Sequence, residues 1–496
     1  MPNTLSTQIE KSDVKEIRQI FLRYSLPAIA AMLVNGLYQI VDGIFIGQAI
    51  GYQGLAAINM VWPILLFLMG FGIMIGIGAG SLLSIHQGES VLSPKTEIDS
   101  LFSAKLLLNS LYLILVLGLV SSIVLTLFTD SLLTLQGGTG EGINQAKDYL
   151  YWFKLGALIS ILSAALPLLI RNDNSPLLAT SLMALGAVLN IAFDYLFILV
   201  FNYGLEGAAI ATLLAQLIVC LLGGLYFFSD ASTQAFHGRT LTSSKCRTIL
   251  LKPQQLTLEA IFKLDIKLIK KILVLGASSL IIYLYTSVMV GLHNALFMQY
   301  GDAITVGAYA IIGYLMVLYY FIAEGIADGS QPPVSYFFGA KKVQDIRALI
   351  LLSTKVTLFI GIGWSLILNL FPNELIQLFS QGNDVLIMTT IKGIQLHLFA
   401  LALDGFIMLA SIYFTSVNQA KKALFIAISN MLIQLPFLYF LPKWLGLEGV
   451  WLAMPISNVL LFLVVAPMMY FDIKKKAFIS ARVDILNKKN QLPITR

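Results

Sequence analysis

Apolar residues fill long runs of this chain, and polar residues gather in the stretches between them. A run of about 20 apolar residues spans a bilayer as a helix. Twelve such spans are predicted, beginning near Tyr24, Leu55, Leu101, Tyr149, Leu177, Ala208, Leu268, Thr305, Ala348, Leu386, Ala423 and Val450. One long polar connection, 229–262, divides them six and six. The pattern predicts an all-α polytopic membrane protein with a polar segment 1–23, a first lobe 24–228, a linker 229–267, a second lobe 268–471 and a tail 472–496.

The division reads as a duplication. DVKEIRQIFLRYSLPA from Asp13 aligns with DIKLIKKILVLGASSL from Asp265, and YGLEGAAIATLLAQ from Tyr203 aligns with LGLEGVWLAMPISN from Leu445. Gly-Leu-Glu-Gly is shared outright before the last span of each half, which similarity among apolar helices does not explain. With an even number of spans per repeat, the halves share one orientation, related by an axis along the membrane normal with a cavity between them.

Composition sharpens this picture. Of the 496 residues 58% are hydrophobic and 12% charged, against roughly 25% charged in soluble domains. The net charge of +6 does not point to nucleic acid, because the basic residues fall in alternating connections. Lys95, Arg171, the stretch from Arg239 to Lys271, Lys341 to Arg347, Lys421, Lys422 and the tail from Lys474 carry nearly all of them. Lys147, Lys154, Lys392 and Lys443 lie on the other side. This asymmetry predicts that both termini and the central loop are cytoplasmic. No cleaved signal peptide is expected, and Cys220 and Cys246 form neither a disulfide framework nor a metal site.

Carboxylates inside spans are the candidate chemistry, since each costs roughly 2.5–3.5 kcal/mol at a helix centre. Asp42 ends the first span, one turn after Tyr38, and Pro27 near its start is a candidate hinge. Asn190 and Asp194 share a face of the fifth span, and Thr212 opens the sixth. If these helices pack together, two carboxylates, an amide, a phenol and a hydroxyl converge; such a set holds a proton or equally Na⁺. The repeat supplies a control: Asn294 stands opposite Asp42, Ser279 opposite Pro27, Gln434 opposite Asn190 and Leu438 opposite Asp194. A scaffold that does without these groups in one half does not need them for folding in the other.

The second half has its own acids. Glu324 and Asp328 lie one turn apart in YYFIAEGIADGSQPP, where Pro332 and Pro333 predict an interrupted helix. Beside them Tyr319, Tyr320 and Phe321 suit stacking on a flat organic cation; the competing reading anchors the acids at a helix end. Asp404 stands alone in the tenth span, after His397, and His293 lies in the seventh; such lone histidines are read as core residues. Gly72, Gly76 and Gly80 form a smooth face for helix packing. With no HExxH and no His or Cys cluster, neither a metal, a cofactor nor an enzyme is expected.

VDGIFIG after Pro27, LAAINMVWPI, LNIAFDYLFI, GLEGAAIAT and GSQPPVSYFFGAKK, in this order, resemble the multidrug and toxic compound extrusion (MATE) family across almost the whole chain. The resemblance implies a V-shaped pair of six-helix lobes in the cell (inner) membrane. It also implies, for a chain read as a monomer, alternating access and export of amphipathic, mostly cationic compounds in exchange for H⁺ or Na⁺. In one branch the proton site matches Asp42, Asn190, Asp194 and Thr212, and the first helix bends at the Pro27 position. A sodium branch uses acids in the seventh and tenth spans; here the seventh offers His293 and Asn294, and Asp404 fits the tenth. A flippase for lipid-linked sugars is the rival, for which arginines should face the cavity; Arg171 is read as sitting at a helix end instead.

Overall fold

A computed structural model describes residues 14–50, 52–92, 96–135, 141–228, 264–377, 379 and 384–490. The linker prediction (but for its last residues), segment 1–13, Lys95 and Cys246 lie outside the described residues. Within them all regular structure is helical. The first half contains α1 (Val14–Ala49), α2 (Tyr52–Leu92), α3 (Thr96–Leu135), α4 (Glu141–Asn172), α5 (Pro176–Asp194) and α6 (Gly204–Phe228). The second contains α7 (Ile266–Tyr300), α8 (Ala303–Gly339), α9 (Val343–Leu370), α10 (Asp384–His397), α11 (Leu401–Ser416), α12 (Ala420–Leu445) and α13 (Leu447–Asn490). A single short turn of helix, Pro372–Gln377, follows α9. Eleven of the helices are long and apolar enough to cross a bilayer, and α10 with α11 makes a twelfth, bent span. Large apolar side chains such as Leu127, Phe359 and Met388 point outward, a surface that lipid covers and water would not.

Local chemistry accounts for the helix ends. Asp265 caps α7 by accepting from the Leu268 N–H, and Asp302 caps α8 by accepting from the Thr305 N–H. α1 and α13 run past the membrane into the segments read from sequence as polar ends, because an established helix adds residues far more easily than it nucleates.

The duplication is visible in the packing. In the first lobe α2 packs on α4, α4 on α6, α1 on α5 and α5 on α6. The second lobe repeats these contacts: α8 packs on α10 and α11, these on α13, α7 on α12 and α12 on α13. Between lobes α1 lies on α8 and α2 on α7, two contacts that a two-fold axis exchanges. Matched turns even share backbone conformation: Asn174 before α5 and Asn418 before α12 have φ of 61° and 58°, and Gly204 and Gly446 have 57° and 59°. The second of these is the shared Gly-Leu-Glu-Gly, where a side chain would be strained.

Glycine sets how closely the helices approach. Gly72, Gly76 and Gly80 turn toward α4, where added methyl groups would meet Ala164, Leu168 and Asn172, so the expected packing role holds. On the lobe interface Gly276 of α7 lies on the backbone of Met74, and Gly325 and Gly329 of α8 lie on α1 at Ile29 and Ser25.

Two expectations are corrected. Pro332 and Pro333 do not interrupt α8, which runs unbroken to Gly339; helices inside a membrane protein keep such prolines when neighbours compensate the lost donors. Asp328 is thus interior to a helix, and the helix-end anchor reading fails. The tenth span, predicted as one helix, is two, bent by 48° between His397 and Leu401. His397 binds the Trp451 carbonyl of α13 at 2.8 Å.

Candidate functional site

Four helices of the first lobe assemble one polar cluster. α5 presents Asn190 and Asp194 a turn apart, and Asn190 Nδ2 donates to Thr212 Oγ1 of α6 at 3.2 Å. Thr212 in turn donates to the Ala208 carbonyl at 3.0 Å. Tyr149 of α4, buried, lies beside Thr212 and within electrostatic reach of Asp42, Asp194 and Tyr38. Sequence reasoning missed Tyr149: it sits in an aromatic run, YLYWF, and nothing local marks which ring turns inward.

The cluster is rich in acceptors without donors. Asp194 is completely buried, and both its carboxylate oxygens lack a hydrogen-bond partner, as do Oδ1 of Asp42 and Oδ1 of Asn190. An orphaned buried polar atom costs about 1–3 kcal/mol, and more for a carboxylate. The backbone departs from the α form at this point: Tyr195–Val200 continues α5 as a π-helix, a distortion found frequently at functional sites.

Tyr38, Asn190 and Thr212 also line a cavity between the lobes, and Asp42 and Asp194 are not among its lining residues. The same cavity is lined from the second lobe by Tyr283, Glu324 and Asp328. Its wall is mostly apolar and includes Met32, Met69, Met183 and Met408, adaptable side chains suited to varied ligands. Neither a lysine nor an arginine is among the lining residues.

The C-lobe residues singled out from sequence do not form one site. Glu324 accepts from the Tyr283 hydroxyl at 2.9 Å. Asp328 is paired with Arg171 at 3.0 Å, with both side chains buried. Arg171 lies in the last turn of α4, at a helix end as the sequence reading has it, and that end is buried against the second lobe. Tyr319 turns away to the Ala402 carbonyl at 3.2 Å, and Tyr320 donates to Asp404 at 2.8 Å. Phe321 packs its ring against Gly36 of α1. Successive helical residues point about 100° apart, so three in a row cannot wall one carboxylate, and the expected aromatic flank of Glu324 is absent.

Asp404 makes a separate, half-buried polar site. It lies in the first turn of α11, just past the break in the span, where free N–H groups favour negative charge. It also accepts from Asn458 of α13. Nearby, His293 and His397 each bond a backbone carbonyl and pack with Tyr309 and Phe297 or Trp451, as core residues do.

A polar joint holds the lobes together at the end where α1 begins and α4 and α8 end. Besides Arg171–Asp328, Asn172 donates to Gln331 and Gln331 to Ser81, each at 2.9 Å. Lys105 of α3 pairs with Asp265 before α7 at 2.8 Å, holding the Asp265 carboxyl below the usual carboxylate range together with the cap bond from Leu268. Within the first lobe Tyr24 donates to Asn174 and Tyr226 to Asp173, each at 2.9 Å.

The MatE family model matches residues 27–196 and 277–440. A multidrug export protein, MepA of Staphylococcus haemolyticus, is 24% identical over 448 residues, covering 90% of this chain and 92% of that one. Among solved structures, a multidrug resistance MATE family transporter in an outward-facing conformation superposes with a TM-score of 0.81. It is 24% identical and the match covers 94% of this chain and 99% of that chain. A MATE structure in a bent conformation, 23% identical, has a TM-score of 0.81 over 95% of this chain and all of that chain.

Proposed function

Because the chain belongs to the MatE family of transporters, we propose that it exports amphipathic, mostly cationic organic compounds by alternating access, in antiport with H⁺. The observation that carries this reading is the group of donorless buried oxygens on Asp42, Asn190 and Asp194, of which Asn190 lines the cavity. A proton is the smallest donor that relieves such a group, and its arrival removes charge from a low-dielectric site. A protonated pair no longer repels itself or holds water, so the helices carrying it can close together. α1 is the element free to respond: it carries Tyr38 and Asp42 at one end and Pro27 toward the other. Closing of α1 on α5 and α6 narrows the first-lobe wall and expels cargo.

The Lys and Arg distribution supports cytoplasmic termini, and the proposal takes the chain as a monomer in the cell (inner) membrane. In that orientation the polar joint closes the cytoplasmic end and cargo leaves outward. Glu324 and Asp328 in a mostly apolar wall, with no lysine or arginine among the lining residues, support cationic cargo over the phosphate of a lipid-linked sugar. Asp404 favours one second reading, Na⁺ or proton coupling in the second lobe, since it lies beside a broken helix, where transporters commonly place ion sites. Liposome reconstitution decides between ions: under an imposed proton gradient a fluorescent organic cation should leave the vesicles, and under a sodium gradient alone it should not. Efflux under sodium alone would replace H⁺ by Na⁺, and efflux under neither would reject ion-coupled export.

A further inference from the structure

Arg171 is the cation that the cavity acids face in this state, and it comes from the opposite lobe. It lies in the last turn of α4, while Asp328 and Glu324 lie on α8. The pair is buried on both sides, with 5% and 9% of the side chains exposed. Arg171 Nε has no partner, so the guanidinium is held chiefly by Asp328. Glu324, one turn along the same face, lies within electrostatic reach of it. Both acids line the cavity and Arg171 does not, so the arginine reaches Asp328 from behind the wall.

Alternating access requires the lobes to part at this end. Asn172, Gln331 and Ser81 are neutral, and water can replace their bonds as the cleft opens. The ion pair behaves differently, because separating it leaves two charges that were satisfied by each other, which is strongly unfavourable while they stay buried. A second cation on the acids removes much of that cost. We propose that Arg171 is a built-in competitor of cationic cargo: it occupies Asp328 when the cytoplasmic end is closed and withdraws when that end opens, leaving Glu324 and Asp328 as a two-carboxylate site for an organic cation. Affinity for cations is then high on the side of uptake and low on the side of release, with no contribution from the first-lobe acids. The inference rests on the export reading above and names how that site changes its affinity.

The test measures equilibrium binding to the purified full chain, with no ion gradient, so it is independent of coupling. Rhodamine 6G serves as the cationic probe and Nile red as the neutral one. Arg171→Gln should bind rhodamine 6G at least tenfold more tightly than the parent and Nile red within twofold, and Arg171→Lys should restore parental binding. Unchanged or weaker rhodamine 6G binding by Arg171→Gln overturns the proposal. Should that variant not fold, Ser81→Cys with Gln331→Cys can be joined by oxidation or a short bis-maleimide to hold the end closed. The cross-linked protein should bind rhodamine 6G at least tenfold more weakly than the reduced protein and Nile red equally; equal binding of rhodamine 6G overturns the proposal. Failure of gradient-driven efflux in the parent would reject the export reading and leave this binding comparison to stand by itself.

Discussion

Thr180 of α5 donates its hydroxyl to the carbonyl of Pro27 in α1 at 2.9 Å. The bond fixes α1 at the residue where its own ladder is weakest, since Pro27 offers no N–H to the turn before it. A turn earlier Tyr24 is held by Asn174, and Gly329 of α8 packs on Ser25. The start of α1 is therefore pinned, and the length beyond Pro27 reaches Tyr38 and Asp42 about four turns away. A kink of about 20° displaces a point 22 Å along a helix by roughly 7 Å, enough to change the shape of the cavity wall.

Pro27→Ala should accordingly slow proton-driven efflux several-fold while changing cargo affinity less than twofold. Thr180→Val should act in the same direction more weakly. Transport rates of Pro27→Ala equal to the parent between pH 6 and 8 would remove the hinge from the mechanism.

Asp42→Asn should insert and fold as the parent does and lose gradient-driven efflux, because the repeat already accepts Asn294 at the matching position. Asp194→Asn should match or exceed the parent in thermal stability, since it removes a fully buried carboxylate whose oxygens have no donor. Size-exclusion profiles with liposome efflux check the first; a lower melting temperature for Asp194→Asn would show that the carboxylate is satisfied in a way this arrangement lacks.

Glu324→Gln should weaken rhodamine 6G binding at least tenfold and leave Nile red little changed, whereas an equal loss for both would reject recognition of charge at this residue. Asp328→Asn is the poorer test of cargo binding. It strands Arg171, and an unpaired buried charge costs about 3–5 kcal/mol, so a lower melting temperature is expected, with recovery in Arg171→Gln/Asp328→Asn. A double variant no more stable than Asp328→Asn would show that the charges are not what the pair contributes.

The Lys105–Asp265 bridge supplies a pH dependence outside the membrane. The Asp265 carboxyl is held below its ordinary range by Lys105 and the Leu268 N–H. Its contribution to stability is therefore present above the unfolded value near 3.9 and is lost as pH falls through the folded value. Asp265→Asn should lower the melting temperature at pH 7, and the gap to the parent should narrow as the pH falls below about 3.9. A gap that persists undiminished at pH 3 would assign the effect to packing of the cap.

Sequence alone determined the spans, the sixfold halves and their repeat, because a run of apolar residues long enough for a bilayer, or a carboxylate within one, carries its cost wherever it is placed. It also put forward Asp42, Asn190, Asp194 and Thr212, since acids and amides are conspicuous where almost everything is apolar. Only the tertiary structure decided which faces meet. It paired Asp328 with Arg171 across the lobes, sent Tyr320 to Asp404, and brought Tyr149 to Thr212. It also kept α8 whole through two prolines and broke the tenth span beside His397. Each of these depends on a partner far away in the chain, and the periodicity of one helix does not say which neighbour will supply a donor, a counter-charge or a close backbone.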